Sequence, residues 1–79
     1  MSTSTVKSVA VTAKRVWFDE TKMYVLLSDA REIAVPLEWF PRLKNANKKQ
    51  RNNWRLIGGG VGIHWKDIDE DLSVEGLLK

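Results

Sequence analysis

Val16-Trp-Phe-Asp-Glu-Thr-Lys-Met-Tyr-Val-Leu-Leu-Ser-Asp-Ala-Arg-Glu-Ile-Ala-Val35 is the stretch that decides the fold. It holds runs rich in β-branched and aromatic residues, split by the short polar breaks Asp19-Glu20-Thr21 and Ser28-Asp29-Ala30. Such runs suit a pleated surface, and breaks this short leave only room for the chain to reverse. Lys22–Leu27 and Arg31–Val35 therefore read as strands, the latter with Ile33 and Val35 on one face. Upstream, Val9, Val11 and Ala13 alternate with Ala10, Thr12 and Lys14, and Val16 and Phe18 continue on the opposite parity. A first strand over Val6–Phe18 with a bulge or bend near Lys14–Arg15 accounts for that change of parity. Three strands joined by tight turns make an antiparallel meander.

Pro36 closes the meander, because it cannot donate to a central ladder. Leu37, Phe40 and Leu43 then recur at near-helical spacing, which predicts a helix starting near Glu38–Phe40 and running to about Ala46. Pro41 is compatible with it only inside the first turn. Asn45–Asn53 is polar and basic, and extends the helix or forms a loop. Trp54–Ile57 and Gly62–Trp65 read as two short strands around Gly58-Gly59-Gly60-Val61-Gly62, a glycine-softened hairpin or bulged strand. Lys66–Asp71 reads as an acidic turn, and Ser73 as the N-cap of a short final helix weakened by Gly76. The predicted class is α+β: a three-stranded meander, a helix, a two-stranded hairpin and a short C-terminal helix. Residues 1–5 are small and polar and are expected to be a flexible N-terminus, leaving 6–79 as one domain.

Composition narrows the function. Seventy-nine residues bury only roughly 60–65% of the surface that their unfolded chain exposes, so the core is thin. Four Trp, two Phe and one Tyr partly offset this. With no Cys, disulfides, zinc-thiolate sites and thiol nucleophiles are excluded, and a reducing cytoplasm is the expected location. No apolar run approaches the length of a membrane span, and the first residues lack the pattern of a signal peptide. The net charge of +3 is unevenly spread. Arg42, Lys44, Lys48, Lys49, Arg51 and Arg55 lie in a segment without an acidic residue, whereas Asp67, Asp69, Glu70, Asp71 and Glu75 crowd the C-terminal end.

From Trp54 onward the chain carries Trp54-x-x-Ile57-Gly58-x-Gly60-x-Gly62-Ile63-His64-Trp65-x-x-Ile68-Asp69-Glu70-Asp71-Leu72-Ser73-Val74-x-Gly76-Leu77-Leu78, and upstream Val35-Pro-Leu-Glu-Trp-Phe-Pro-Arg-Leu43. These blocks resemble a family of short bacterial proteins known as domain of unknown function 2442. The resemblance covers nearly the whole chain from about Val6. It implies an α+β domain with an antiparallel sheet. Some relatives are fused to a helix-turn-helix, and others stand beside a small partner in a toxin–antitoxin-like arrangement. Lys66 departs from the pattern, since many relatives have Pro there. No helix-turn-helix is legible in this chain, so the DNA-binding role of fused relatives is not expected to carry over.

Four groups of residues are candidates for function. Gly58–Gly62 lacks both the following helix and the Lys of a phosphate-binding loop, so strand bending explains it better. His64 with Asp67, Asp69, Glu70 and Asp71 has the chemistry of a metal or acid–base site. Carboxylates beside a helix start and a strand histidine facing away from Ile63 and Trp65 are the simpler explanation. No nucleophile–base pair is legible, so no enzyme, metal or cofactor is expected. The basic residues Arg42, Lys44, Lys48, Lys49, Arg51 and Arg55 are the candidate nucleic-acid contacts. The aromatic pairs Trp17-Phe18 and Trp39-Phe40 cannot both point inward, so one member of each is expected near the surface. Trp17 and Trp39, with Asp69, Glu70 and Asp71 as charged surroundings, are the candidate partner-binding residues. The favoured function is a protein–protein interaction module, antitoxin-like in a two-protein system, its partner the product of a neighbouring gene. The alternative is a nucleic-acid-binding accessory or regulatory protein using residues 42–55. A homodimer through an exposed sheet edge is left open.

Overall fold

The computed structural model describes residues 11–78. Residues 1–5 and the part of the expected first strand before Val11 lie outside the described residues. Strands β1 (Ala13–Phe18), β2 (Lys22–Leu27) and β3 (Glu32–Pro36) form one antiparallel sheet in the order β1-β2-β3. The meander is as expected. Its register shifts between Ala13, which faces Leu27, and Arg15, which faces Leu26, so Lys14 is the bulged residue. That single insertion puts Ala13, Val16 and Phe18 on the same inner face despite their changed spacing.

The first turn is held by Asp19, whose Oδ1 accepts the backbone N–H groups of Thr21 at 2.9 Å and Lys22 at 2.7 Å. Its Oδ2 accepts the Tyr24 hydroxyl. The second turn leaves Ala30 at φ 76°, with the Leu27 carbonyl accepting from the Ala30 N–H.

The single expected helix is in fact divided. Leu37–Trp39 is one 3-10 turn, α1 spans Pro41–Lys44 and α2 spans Lys48–Asn52. Pro41 opens α1, where its missing N–H costs no helical bond. Asn47 then stops any continuation by taking an extended conformation and capping α2. Its side chain accepts from the Gln50 N–H, while the Gln50 side chain accepts from the Asn47 N–H.

The second half also differs from expectation. Strands β4 (Trp54–Ile57) and β5 (Gly62–Trp65) pair as anticipated, but a third strand, β6 (Glu70–Ser73), adds to β5. The acidic turn is therefore shorter than Lys66–Asp71, and the hairpin becomes a sheet ordered β4-β5-β6. Backbone pairing with β5 makes this strand even though Leu72 is its one apolar residue. Acidic side chains on an edge strand also discourage further pairing. Ser73 caps the last helix, α3 (Val74–Leu77), by accepting from the Gly76 N–H.

Both sheets feed one core. Val16, Met23, Val25, Leu27 and Val35 meet Leu37, Leu43, Ile63, Trp65, Val74 and Leu77 in a continuous apolar cluster. Phe18 meets Trp65 edge-on, with ring centroids 6.4 Å apart. The wholly buried Trp65 donates its indole N–H to the Arg51 carbonyl at 2.9 Å, so its one polar atom is satisfied.

Candidate functional site

The adjacent aromatics divide as strand and turn geometry require. Phe18 turns inward while Trp17 lies on the outer face of the first sheet, where it stacks on Tyr24 at 5.8 Å and 8°. Phe40 packs against the core, whereas Trp39 is 62% exposed. The turn carrying Trp39 is fixed on both sides. Leu37 is buried and donates its N–H to the Thr21 carbonyl, and the Phe40 N–H donates to the Leu37 carbonyl, both at 2.9 Å. The indole thus stands on a short rigid platform, with Glu38 and Lys44 pairing loosely beside it at 3.6 Å.

The basic segment does not present six equivalent cations. Arg51 donates from Nε to the Leu43 carbonyl and from Nη2 to the Lys44 carbonyl, both at 2.9 Å. It thereby satisfies the end of α1, where carbonyls carry partial negative charge. Arg42 donates to the carbonyl of Asp69 and ties α1 to the β5–β6 turn. Lys44 faces Glu38, and Arg55 stands on β4 opposite His64. Lys48 and Lys49 are exposed on α2.

The acidic residues are likewise spread by the fold. Asp69 adopts φ 52° in the turn, a conformation that Asp tolerates better than most side chains. Glu70 and Asp71 fall on opposite faces of β6. Register places Arg55, His64 and Asp71 side by side across the outer face of the second sheet. His64 Nδ1 lies 2.5 Å from Asp71 Oδ1. An ionised carboxylate only accepts, so the ring donates to it from Nδ1. Sequence proximity alone offered four carboxylates as partners for His64; the β5–β6 register selects Asp71. Among the described residues, no group of three or more His, Asp or Glu is placed to hold a metal ion.

The Gly58–Gly60 turn has all three glycines at positive φ, and serves the hairpin between β4 and β5. Gly60 also lets the turn touch β1: a Cβ there would lie 2.8 Å from the Ala13 carbonyl oxygen. Sequence gave no sign of that approach, because the two segments lie far apart along the chain.

The molecule is thus a small α+β protein of two three-stranded antiparallel sheets sharing one core, with the most exposed large apolar side chain among the described residues on a fixed turn. The chain belongs to the family described as protein of unknown function (DUF2442), whose model matches residues 13–79. It is similar to the crystal structure of a protein of unknown function from Rhodospirillum rubrum ATCC 11170, with a TM-score of 0.76 and 28% identity. The alignment covers 89% of this chain and 87% of that one. No curated protein matches the chain in sequence. Among the described residues, no helix is long and apolar enough to cross a membrane.

Proposed function

We propose that this chain is a non-catalytic, cytoplasmic protein–protein interaction module that docks its partner through Trp39. The observation that carries this reading is the 62% exposure of an indole on a turn whose flanking residues, Leu37 and Phe40, are anchored in the core. An exposed Trp keeps apolar surface in water, and burying it against a partner recovers that cost. Because the turn is already ordered, docking loses little conformational entropy. The neighbouring Glu38 and Lys44 supply mixed charge on the same segment, suited to setting orientation and partner choice. In the two-protein arrangement that the family resemblance implies, this chain is the antitoxin-like member and the neighbouring gene encodes its partner.

The test is co-purification from the native host with the neighbouring gene product, using the native chain and Trp39→Ala. The variant is expected to weaken capture by about 30-fold or more, as truncating a central Trp hot spot does. Its stability should change by no more than about 0.5 kcal/mol, because the residue is exposed. A chain recovered without a partner, or a variant that captures it equally well, overturns the reading. Nucleic-acid binding that weakens steeply with salt and disappears on charge reversal of Lys48 and Lys49 would replace it with the alternative.

A further inference from the structure

The outer face of the first sheet has an ordered pattern that neither the core nor Trp39 uses. The bulge at Lys14 and the two registers set its side chains in rows across β1, β2 and β3. One row is Arg15–Leu26–Glu32 and the next is Trp17–Tyr24–Ala34. Trp17, Tyr24 and Leu26 are half-buried but stand outside the core cluster, while Arg15, Glu32 and Ala34 are exposed. Trp17 leans onto Tyr24, so β1 carries a raised aromatic edge and β3, at Ala34, a hollow. The same face therefore has a bump and a cation on one side, and a hollow and an anion on the other.

We propose that this face is a self-association surface, covered by the same face of a second copy about a two-fold axis parallel to β2. Rotation about that axis lays β1 over the partner's β3. Trp17 then fills the hollow at the partner's Ala34, and Arg15 meets the partner's Glu32. Each contact occurs twice, as an isologous interface requires. Tyr24 and Leu26 lie on the axis and meet their own counterparts. Sheets packed face to face in near alignment use this geometry. An axis across the strands through the Trp17–Tyr24–Ala34 row would set indole on indole and hollow on hollow, and so fits worse. Among the described residues Lys22 is the outward cation near the axis, but it lies at the strand end beside the Asp19 carboxylate, where two copies can splay into solvent.

Three short strands offer less area than a standard interface of about 800 Å² per partner, so the association should be weak, with Kd of roughly 10–100 µM. Sedimentation equilibrium of the full chain from micromolar to millimolar concentration tests it. The expected result is a reversible monomer–dimer equilibrium. Arg15→Glu and Glu32→Arg should each weaken it about 10-fold, and the two together should restore it, because the exchanged charges again face each other across the axis. Ala34→Lys should abolish it by filling the hollow, and it decides the matter by itself should a charge variant fail to fold. A monomer at every concentration overturns the proposal. So does a dimer indifferent to Ala34→Lys, or single charge reversals that the double variant does not repair. Trp39→Ala should leave self-association unchanged, which separates this surface from the docking site proposed above.

Discussion

Asp19 shows how one side chain can hold a turn and carry a pH response. The Tyr24 hydroxyl, followed by the backbone N–H groups of Thr21 and Lys22, holds its carboxyl below the ordinary carboxylate value. The same bond raises the Tyr24 phenol above its ordinary value. A depressed acid contributes stability above its unfolded pKa and loses it as pH falls through the folded one. A raised phenol contributes stability below its unfolded pKa and loses it as pH rises through the folded one. The hairpin is therefore expected to weaken at both extremes, below about pH 4 and above about pH 10. Tyr24→Phe removes the largest contribution to the Asp19 shift. In an NMR titration of Asp19, the variant's carboxyl should titrate closer to the ordinary value, and its thermal stability should fall less steeply in acid. An unchanged titration would show that the backbone donors alone hold the carboxylate. Asp19–Thr21 is recognisable as a turn from its residues, but the Tyr24 bond follows from two side chains being brought to one end of a strand pair.

Among the elements, the Gly58–Gly60 turn separates two reasons for glycine. Gly59 has φ 71° with open space where a Cβ would stand. Gly60 has φ 103°, and its Cβ would press on the Ala13 carbonyl and the Thr12 side chain. Gly59→Ala should therefore cost about 1–2 kcal/mol, the penalty of left-handed backbone alone. Gly60→Ala should cost more, roughly 3 kcal/mol, because backbone must also move. Urea unfolding of the two variants checks the order, and equal losses would mean that the contact with β1 carries no weight. The glycines mark a turn in the sequence, yet their contact with β1 does not show there. The same limit explains β6. Glu70-Asp-Leu-Ser73 lacks an alternating apolar pattern, and its strand character comes from the neighbouring β5 backbone. The division of α1 from α2 was more accessible, because Asn47 followed by Gln50 has the spacing of a capping box.

At the scale of the molecule, the question is whether two sheets with one core behave as one unit. Met23 on β2 is wholly buried, between the Phe18 and Val35 positions of its neighbours, and Phe18 touches Trp65 in the second sheet. Met23→Ala should cost about 2–5 kcal/mol, a large share of the stability of so small a domain. A loss of 2 kcal/mol alone would lower Tm by roughly 8–16 °C. If the core is cooperative, hydrogen exchange at the protected amides of β5 should accelerate as much as exchange at those of β2. Protection retained in β5 would instead mean that the sheets open separately.

The alternation of apolar residues up to Ala13, its change of parity near Lys14, the facing pair Ile33 and Val35 and the polar breaks were enough by themselves to indicate the meander, its irregular first strand and its inner face. These depend on neighbours along the chain, where side-chain direction follows directly from backbone period. The β4–β5 hairpin and the Ser73-capped final helix were local in the same way. Only the tertiary structure decided that Arg51 ends α1, that Arg42 holds the β5–β6 turn, and that His64 takes Asp71 rather than a nearer carboxylate. It alone separated exposed Trp39 from stacked Trp17. Long side chains bond to whatever the register and packing bring within about 3 Å, and that proximity is set by the whole fold rather than by spacing along the chain.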